Sequence, residues 1–254
     1  MRSAYSVADV PAPVSRTPKA YAMIAGELRE RVCHANLELA ASGLVSGTFG
    51  NVSGVDREAG LLAIKASGVP YEELTAEHMV PVSLETGEVV EGTLRPSSDT
   101  LTHLELYRAF PCGGVAHTHS EAATTLAQAC LPVRCMGTTH ADHFRGDVPV
   151  TRELRPEEVA NDYERNTGLV IVDTFRDLDV SPTEVSAVLV AHHGPFAWGP
   201  SPMEAVEQVR VLEMLARMEC DMLSVAPDAL RPPGYLVDKH FLRKHGKNAY
   251  YGQG

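Results

Sequence analysis

The chain has 254 residues, enough for one large domain with a substantial hydrophobic core or for two small domains. Hydrophobic residues make up 44% of it, and no stretch approaches the roughly 20 apolar residues of a membrane-spanning helix. The 33 acidic residues outnumber the 22 basic ones, so a formal net charge of -11 should repel nucleic acids and anionic membranes.

The start of the chain and its cysteines favour a cytoplasmic protein. Residues 1–20 are rich in Ala, Ser and Pro and lack the continuous apolar core of a signal peptide. We predict that they form a poorly ordered extension of a single domain spanning residues 21–254. The five cysteines occur at no zinc or redox spacing, and their odd number argues against a fully paired set of disulfides. Reduced thiols in the cytoplasm are therefore expected.

Helical and strand patterns are interspersed along the rest of the chain. Residues 24–44 carry apolar side chains at helical intervals, and similar helices are predicted over residues 99–110, capped by Ser97 or Ser98, and over residues 203–218. Four short apolar runs bounded by polar residues or glycine predict strands: residues 61–65, 79–84, 113–119 and 186–193. This alternation predicts an α/β layered domain, although it does not give the order of the strands.

Three histidines follow apolar runs at positions where they could bind a metal ion. In GGVAHTHS, a strand period of two would place His117 and His119 on one face, and His193 follows the run VLVA. Such a pair is more often only hydrogen-bonded, but three imidazoles and the carboxylate of Asp99 would suit Zn²⁺, or another divalent ion such as Mn²⁺ or Co²⁺. His103, four residues after Asp99 on the same predicted helix face, competes with His193 as a ligand.

Two glycine-containing turns and one helix start could together bind an anion. In GTFGNVSG and KASG, small residues let backbone amides approach a ligand, and Asn51, Lys65 and Ser67 supply further donors. Ser97 and Ser98 stand at a predicted helix start, where free amides and the helix dipole favour negative charge. Each element alone is more simply a turn or a cap. Together, in an acidic protein, they predict a phosphate pocket.

Several motifs taken together resemble the class II aldolase and adducin family: GNVSG, IKASGVPY, PSSDT, HTHS, TTHADHF, HHGPFAWG and DKHFLRKHGKNAYYGQ. Within that family the chain is most similar to the epimerases that act on L-ribulose 5-phosphate, and the last motif is specific to that branch. The resemblance covers about residues 24–253. It implies a three-layer α/β/α sandwich around a mainly antiparallel sheet, assembled as a homotetramer with active sites between subunits. It also implies a divalent ion, usually zinc, at Asp99, His117, His119 and His193.

The reaction implied by the resemblance interconverts L-ribulose 5-phosphate and D-xylulose 5-phosphate. Because C4 carries no acidic proton, inversion would proceed by cleavage and re-formation of the C3–C4 bond. The implied phosphate-binding residues are Gly50, Asn51, Lys65, Ser67, Gly68, Ser97 and Ser98. The implied acid/base groups are Asp142 in HADHF and Tyr251 in AYYGQ, with His240 supporting the second.

Other interpretations remain open for both the residues and the function. Asp142 could be a turn residue and Tyr251 a packing anchor, while His140 and His143 could only tune Asp142. Epimerases of the family commonly have tyrosine at the position of His143. A sugar-phosphate aldolase of the fuculose- or rhamnulose-phosphate type would share the metal and phosphate sites, but those aldolases usually have glutamate at the position of Asp99. An adducin-like interaction module would lack the metal ligands, and a related ketose phosphate as substrate is not excluded.

Overall fold

A computed structural model describes residues 18–247, 249 and 250. The eight α-helices of this part of the chain are α1 (Pro18–Ala41), α2 (Thr100–Ala109), α3 (Glu121–Gln128), α4 (Thr138–Ala141), α5 (Pro156–Ala160), α6 (Tyr163–Asp177), α7 (Pro202–Val225) and α8 (Gly234–His245). The strands are β1 (Asn51–Asp56), β2 (Leu61–Lys65), β3 (Met79–Ser83), β4 (Gly114–His117), β5 (Ala187–Val190) and β6 (Gly194–Gly199). Two 3₁₀ turns, Tyr71–Glu73 and Ala76–His78, lead into β3.

The six strands form one sheet in the order β3-β2-β1-β4-β6-β5, and every neighbouring pair is antiparallel. The register aligns Asn51 of β1 with His117 of β4, and His117 with Phe196 of β6. One row across the centre of the sheet therefore brings a candidate phosphate-binding residue beside a candidate metal ligand.

Successive residues of β1 show which helices cover each face of the sheet. A Cβ atom on Gly54 would lie 2.8 Å from Val32 of α1 and 2.7 Å from Pro202 of α7, so these helices pack directly on that face. The preceding residue, Ser53, points the other way, and its hydroxyl lies 2.8 Å from the hydroxyl of Tyr107 in α2. Since α2 packs on α6, the predicted three-layer α/β/α sandwich around an antiparallel sheet is confirmed.

Residues 51–54 of the GNVSG segment lie in β1 and not in the turn that the sequence predicts. The turn lies just before it, with left-handed φ angles of 60° at Gly47 and 81° at Gly50. The buried amide of Asn36 in α1 holds β1 in place, because its Nδ2 donates to the Val52 carbonyl and the Val52 amide donates to its Oδ1, both at 2.9 Å. These contacts between distant segments override the local glycine signal.

Two predicted strands end before their last histidine. β4 pairs with β6 only as far as His117, so His119 lies in the following loop and the argument from a strand period does not apply to it. β5 ends at Val190, and His193 lies in the tight turn before β6. His192 has a left-handed φ of 60° in this turn, so the two adjacent histidines do not alternate across a strand.

The helices differ from the prediction mainly at their ends. The N-cap of α2 is Asp99, so the predicted cap at Ser97 or Ser98 is wrong, and no side chain completes the cap. Instead, the Ser97 carbonyl accepts a hydrogen bond from the Thr100 hydroxyl at 2.5 Å. α1 begins earlier than predicted, at Pro18, and α7 continues to Val225. Across residues 18–247, no helix combines the length and the apolar character needed to cross a bilayer.

Candidate functional site

The structure brings His117, His119 and His193 together at one end of the central strands. A ligand nitrogen from each residue lies within 4.8 Å of the other two, and the Nε2 atoms of His117 and His119 are 3.1 Å apart. The pairing of β4 with β6 brings the end of β4 beside the turn that carries His193. Three imidazoles from two separate chain segments therefore converge on a single point.

Hydrogen bonds to the far side of two rings direct their free nitrogens into this group. Nδ1 of His117 donates to the Pro195 carbonyl at 2.9 Å, and its ring stacks on Phe196 with a centroid distance of 4.1 Å. Nδ1 of His193 lies 3.3 Å from the hydroxyl of Tyr163. A histidine fixed through Nδ1 presents Nε2 to a ligand, an arrangement typical of metal-binding histidines.

Burial lowers the pKa of two of these imidazoles, those of His193 and His119. Burial lowers the pKa of His193 to about 3, and the neighbouring charges of His117 and His119 add to the effect. Burial, followed by the charge of His117, also lowers the pKa of His119. Because a metal ion binds only the neutral ring, His119 and His193 are available as ligands at neutral pH without losing a proton.

Asp99 lies at the start of α2 beside this group. Its Oδ2 accepts a hydrogen bond from Nδ2 of Asn51 at 2.7 Å. Burial raises its pKa, but the nearby charges of His117 and His103 and the Asn51 hydrogen bond outweigh burial, so the net pKa is lowered. Asp99 is thus a carboxylate within electrostatic reach of the three histidines, although its oxygens fall outside the tight 4.8 Å group.

His103, the competing candidate, occupies a different environment. Its ring is fully buried beneath the sheet, and Nδ1 lies 2.7 Å from the hydroxyl of Ser53. Nε2 has no hydrogen-bond partner among the described residues. Burial lowers the pKa of His103 to about 3. The tight histidine group contains His193 and not His103.

The predicted phosphate-binding residues lie next to Asp99, where three chain segments meet. Nδ2 of Asn51 also donates to the Ser97 hydroxyl at 3.1 Å, the Ser97 amide donates to the Lys65 carbonyl, and the Ser67 amide donates to the Arg95 carbonyl. A Cβ atom on Gly50 would lie 2.8 Å from Val45 and 3.0 Å from the His117 carbonyl, so only glycine fits there. The exposed members of the set are Ser67, Gly68 and Ser98.

Lys65 is enclosed and bonded to the backbone. Its side chain is buried, Nζ donates to the carbonyls of Val69 at 2.6 Å and Ala66 at 3.3 Å, and Nζ lies 4.9 Å from the ring centre of Tyr71. Burial lowers its pKa. The Tyr71 hydroxyl in turn donates to the Gly50 carbonyl at 2.9 Å. Lys65 therefore braces the turn over residues 66–69.

Asp142 forms a second cluster, between α4 and α8. Its Oδ1 accepts from His240 Nδ1 at 3.1 Å and from Arg243 Nε at 3.0 Å, and its Oδ2 accepts from Arg243 Nη2 at 2.7 Å. Burial raises the pKa of Asp142, but the hydrogen bonds from Arg243 and His240 outweigh it and lower the net pKa. His140 is buried and bonded to the Gly146 carbonyl, whereas Tyr251 lies outside the described residues.

A family model for the "Class II Aldolase and Adducin N-terminal domain" matches residues 30–220, which is most of the chain. The chain belongs to the class II aldolase family. An L-fuculose 1-phosphate aldolase superposes with a TM-score of 0.70 at 25% identity, over 84% of this chain and 94% of that one. YgbL from Klebsiella pneumoniae, provisionally described as an aldolase, epimerase or decarboxylase, gives 0.66 at 26% identity, over 85% and 98%.

A third similar structure supports the fold alone. The L-fuculose-1-phosphate aldolase of Thermus thermophilus has a TM-score of 0.61 at 24% identity and covers 80% of this chain and 98% of its own. Class II aldolases typically depend on a divalent metal ion and act on sugar phosphates. The resemblance of the motifs to this family is thus confirmed, while the closeness to epimerases stays a prediction.

The residues present fit the divalent ion that this family implies. Three imidazole nitrogens converge within 4.8 Å of one another, and the Nε2 atoms of His117 and His119 are 3.1 Å apart. A carboxylate stands beside them at Asp99. Nitrogen ligands with one carboxylate suit zinc and similar borderline ions.

Two residues of the candidate site were missed by the sequence analysis. Tyr163 supports His193 from the first turn of α6, and Arg243 holds Asp142 from α8. Neither contact has a local sequence signal, because the partners are 30 and 101 residues apart. Only the motif DKHFLRKH, in which His240 and Arg243 are spaced by three on one helix face, could have suggested that Arg243 shares the partner of His240.

Proposed function

We propose that this protein is a metal-dependent epimerase that interconverts L-ribulose 5-phosphate and D-xylulose 5-phosphate. The observation that supports this most directly is the 3.1 Å hydrogen bond between His240 Nδ1 and Asp142 Oδ1. It joins the TTHADHF loop to the carboxyl-terminal helix, and these are the two segments to which the resemblance assigns inversion. An aldolase of the family, which makes and breaks the carbon–carbon bond without changing the face of the aldehyde that reacts, would lack both of these segments.

The proposed reaction inverts C4 by breaking the C3–C4 bond. A base removes the proton of the C4 hydroxyl, the bond cleaves, and its electron pair passes to the C2 carbonyl of the three-carbon fragment. A divalent ion bound at Asp99, His117, His119 and His193 would supply Lewis-acid stabilisation of the charge developing on the oxygens of that fragment. The aldehyde group of glycolaldehyde phosphate then rotates to present its opposite face. The C3–C4 bond re-forms on that face, and an acid protonates the new C4 oxygen.

The phosphate-binding residues have to keep the two-carbon fragment in the site while its aldehyde turns. Asn51 and Ser97 are already bonded to each other and to the segment around Lys65, so they present their groups from a braced surface. The exposed hydroxyls of Ser67 and Ser98 and the open backbone at Gly68 are available to the phosphate. A preorganised anion site of this kind lowers the entropic cost of re-addition.

Inversion needs proton transfer on both faces of the aldehyde, and we assign one face to Asp142 with His240 and the other to Tyr251. In one subunit, the hydrogen bonds of the Asp142 carboxylate lead to α8 and not to the histidine group. This pattern of contacts is compatible with the homotetramer that the resemblance implies, in which residues from neighbouring subunits complete each active site. The resemblance implies that Tyr251 is the residue that crosses to the neighbour.

A sugar-phosphate aldolase is the second candidate, and the structural similarity to an L-fuculose 1-phosphate aldolase favours it. It would use the same ion and phosphate site but release its two fragments. Asp99 and the Asp142 cluster favour the epimerase. The resemblance associates aldolases with a glutamate at the position of Asp99 and with no counterpart of the Asp142 cluster.

Product analysis distinguishes the two. Zinc-loaded protein is incubated with L-ribulose 5-phosphate and, separately, with L-fuculose 1-phosphate, and the products are resolved by anion-exchange chromatography, with the His119→Ala variant as the inactive control. We expect D-xylulose 5-phosphate from the first substrate and no cleavage of the second. Free glycolaldehyde phosphate and dihydroxyacetone as the main products, or turnover of L-fuculose 1-phosphate alone, would overturn the proposal.

A further inference from the structure

A second group of metal-ligating side chains lies on the surface, apart from the histidine group. Sγ of Cys130 is 3.5 Å from Nε2 of His192, and that nitrogen is 2.8 Å from Oε1 of Glu153. The ligand atoms of all three lie within 4.8 Å of one another. We propose that Cys130, Glu153 and His192 form a second metal site, which binds zinc or a similar borderline divalent ion through a thiolate.

The distances suit a tetrahedral ion. Zinc–sulfur and zinc–nitrogen bonds of about 2.3 and 2.0 Å at a tetrahedral angle place the two ligand atoms about 3.5 Å apart. The separation between Cys130 Sγ and His192 Nε2 is 3.5 Å. The carboxylate of Glu153 has to move outward by about half an ångström, because its oxygen lies 2.8 Å from the imidazole nitrogen and a tetrahedral ion would hold the two atoms about 3.3 Å apart. Its side chain is 70% exposed and has room to do so.

The backbone holds the two inner ligands in fixed relation to each other. The amides of Cys130 and His192 both donate to the same carbonyl, that of Ala127, at 3.1 and 2.9 Å. Two residues separated by 62 positions are thus tied to one atom at the end of α3. A pair of ligands anchored in this way loses little conformational entropy when an ion binds.

Glu153 is brought to the group by a separate connection. The amide of Thr151 donates to the Leu189 carbonyl at 2.8 Å, and the Thr151 hydroxyl accepts from the amide of Ala191 at 3.1 Å. The segment that leads to Glu153 therefore runs along the end of β5, directly beside the turn that contains His192.

The backbone conformation is unusual at both inner ligands. Cys130 and His192 have left-handed φ angles of 54° and 60°, a region that non-glycine residues seldom occupy. Such conformations persist only where the surrounding structure imposes them, and they are frequent at ligand sites.

The ligand types specify the class of ion. A thiolate with an imidazole and one carboxylate suits zinc or cobalt, whereas calcium and magnesium prefer sites made only of oxygens. Three protein ligands leave a fourth position for water. Because the His192 side chain is 57% exposed, an ion can exchange with solvent here, unlike at a closed structural zinc site.

Cobalt substitution tests the site without reference to any substrate. Metal-free full-length protein is titrated with Co²⁺ while the near-ultraviolet thiolate-to-cobalt charge-transfer absorption is recorded, and bound cobalt is counted by equilibrium dialysis. The histidine group contains no sulfur, so this absorption reports only a cysteine site. The variants are Cys130→Ser, Glu153→Gln and the double variant His117→Ala/His119→Ala, with Cys220→Ser as a matched cysteine control.

We expect wild-type protein and Cys220→Ser to show the charge-transfer band and to bind two equivalents of cobalt. Cys130→Ser should lose the band and one equivalent, and Glu153→Gln should need a higher cobalt concentration to reach the same band. The double histidine variant should lose the other equivalent and keep the band. Absence of the band in wild-type protein, or its survival in Cys130→Ser, would overturn the proposal. A negative result in the epimerase assay would not affect the proposal of a second metal site, because the cobalt titration uses no substrate.

Discussion

The guanidinium of Arg243 binds the carboxylate of Asp142 through two parallel hydrogen bonds, Nε to Oδ1 at 3.0 Å and Nη2 to Oδ2 at 2.7 Å. Such two-point pairing fixes the plane of the carboxylate and favours its charged form. It also ties the short helix α4 to α8 near the end of the chain. Asp142 therefore has a structural role that any test of its proposed catalytic role must separate.

Asp142→Asn should reduce turnover on the order of 10² to 10⁴-fold, the range for one positioned proton-transfer group, while leaving metal content unchanged. Asp147→Asn is the matched control, because Asp147 is also held by an arginine in two bonds, from Arg231 at 2.5 and 2.7 Å. Steady-state kinetics and thermal unfolding of both variants decide the role. Equal losses of activity in Asp142→Asn and Asp147→Asn would show that Asp142 contributes only a structural ion pair.

The Asp142 pair should make stability depend on pH in a defined direction. Folding lowers the pKa of this carboxyl below its ordinary value of 3.8, so its stabilisation is complete above that pH and is lost as the pH falls through the folded pKa. The difference in Tm between wild type and Asp142→Asn should therefore be constant from pH 7 to about pH 4 and shrink below that. A difference that stays constant down to about pH 2 would contradict the lowered pKa.

His119→Ala should remove the ion of the histidine group together with activity. The residue contributes one of only three converging nitrogens, so its loss leaves too few ligands for tight binding. His34→Ala, on the exposed face of α1, is the control and should keep both metal and turnover. Elemental analysis after dialysis measures the change. Chelators should inactivate wild type, and added zinc should restore it.

Co-expression of two inactive variants tests whether the subunits of the proposed homotetramer share active sites. A His119→Ala subunit lacks a proposed metal ligand but has an intact Tyr251, whereas a Tyr251→Phe subunit has the proposed ligands but lacks the proposed acid. Each variant alone should be nearly inactive. Co-expressed mixtures should regain part of the wild-type epimerase activity, because some sites then combine intact metal ligands from one subunit with an intact Tyr251 from its neighbour. Mixed tetramers isolated with two different tags and no more active than the parents would show that Tyr251 acts within its own subunit or not at all.

Asn36→Ala should lower the free energy of unfolding by about 1–3 kcal/mol, the cost of leaving buried polar groups unpaired. The variant deprives both the amide and the carbonyl of Val52 of their side-chain partner between α1 and β1. Urea unfolding measures the change, and His34→Ala, two residues earlier on the same helix, should be close to neutral. A neutral Asn36→Ala would mean that water replaces the amide.

The sequence predicts the regular parts of this fold well, because their signals are local. The run over residues 61–65 coincides with β2, and the helix predicted over residues 99–110 contains α2. The three histidines are also found, although for His119 the reasoning from a strand period fails because β4 ends at His117. A strand ends where its partner stops pairing with it, and no local pattern records that.

What the sequence does not predict are contacts between distant segments. The Tyr163–His193 contact and the meeting of Cys130 with His192 depend on how β5, β6, α3 and α6 pack together. The cysteine spacing gives no indication of a metal site, because only one of the five cysteines takes part in the second ligand group. Such groups become visible only when the sheet order is known.

The burial of Lys65 bears on a side reaction that the proposed mechanism would otherwise allow. An accessible primary amine condenses readily with aldehydes to form an imine, and the proposed cleavage generates glycolaldehyde phosphate beside the segment that carries this lysine. Lys65 is only 2% exposed, and its ammonium group donates to the carbonyls of Ala66 and Val69. The chain thus supplies positive charge near the proposed phosphate pocket, while the amine that would form an imine with the proposed aldehyde intermediate is kept out of its reach.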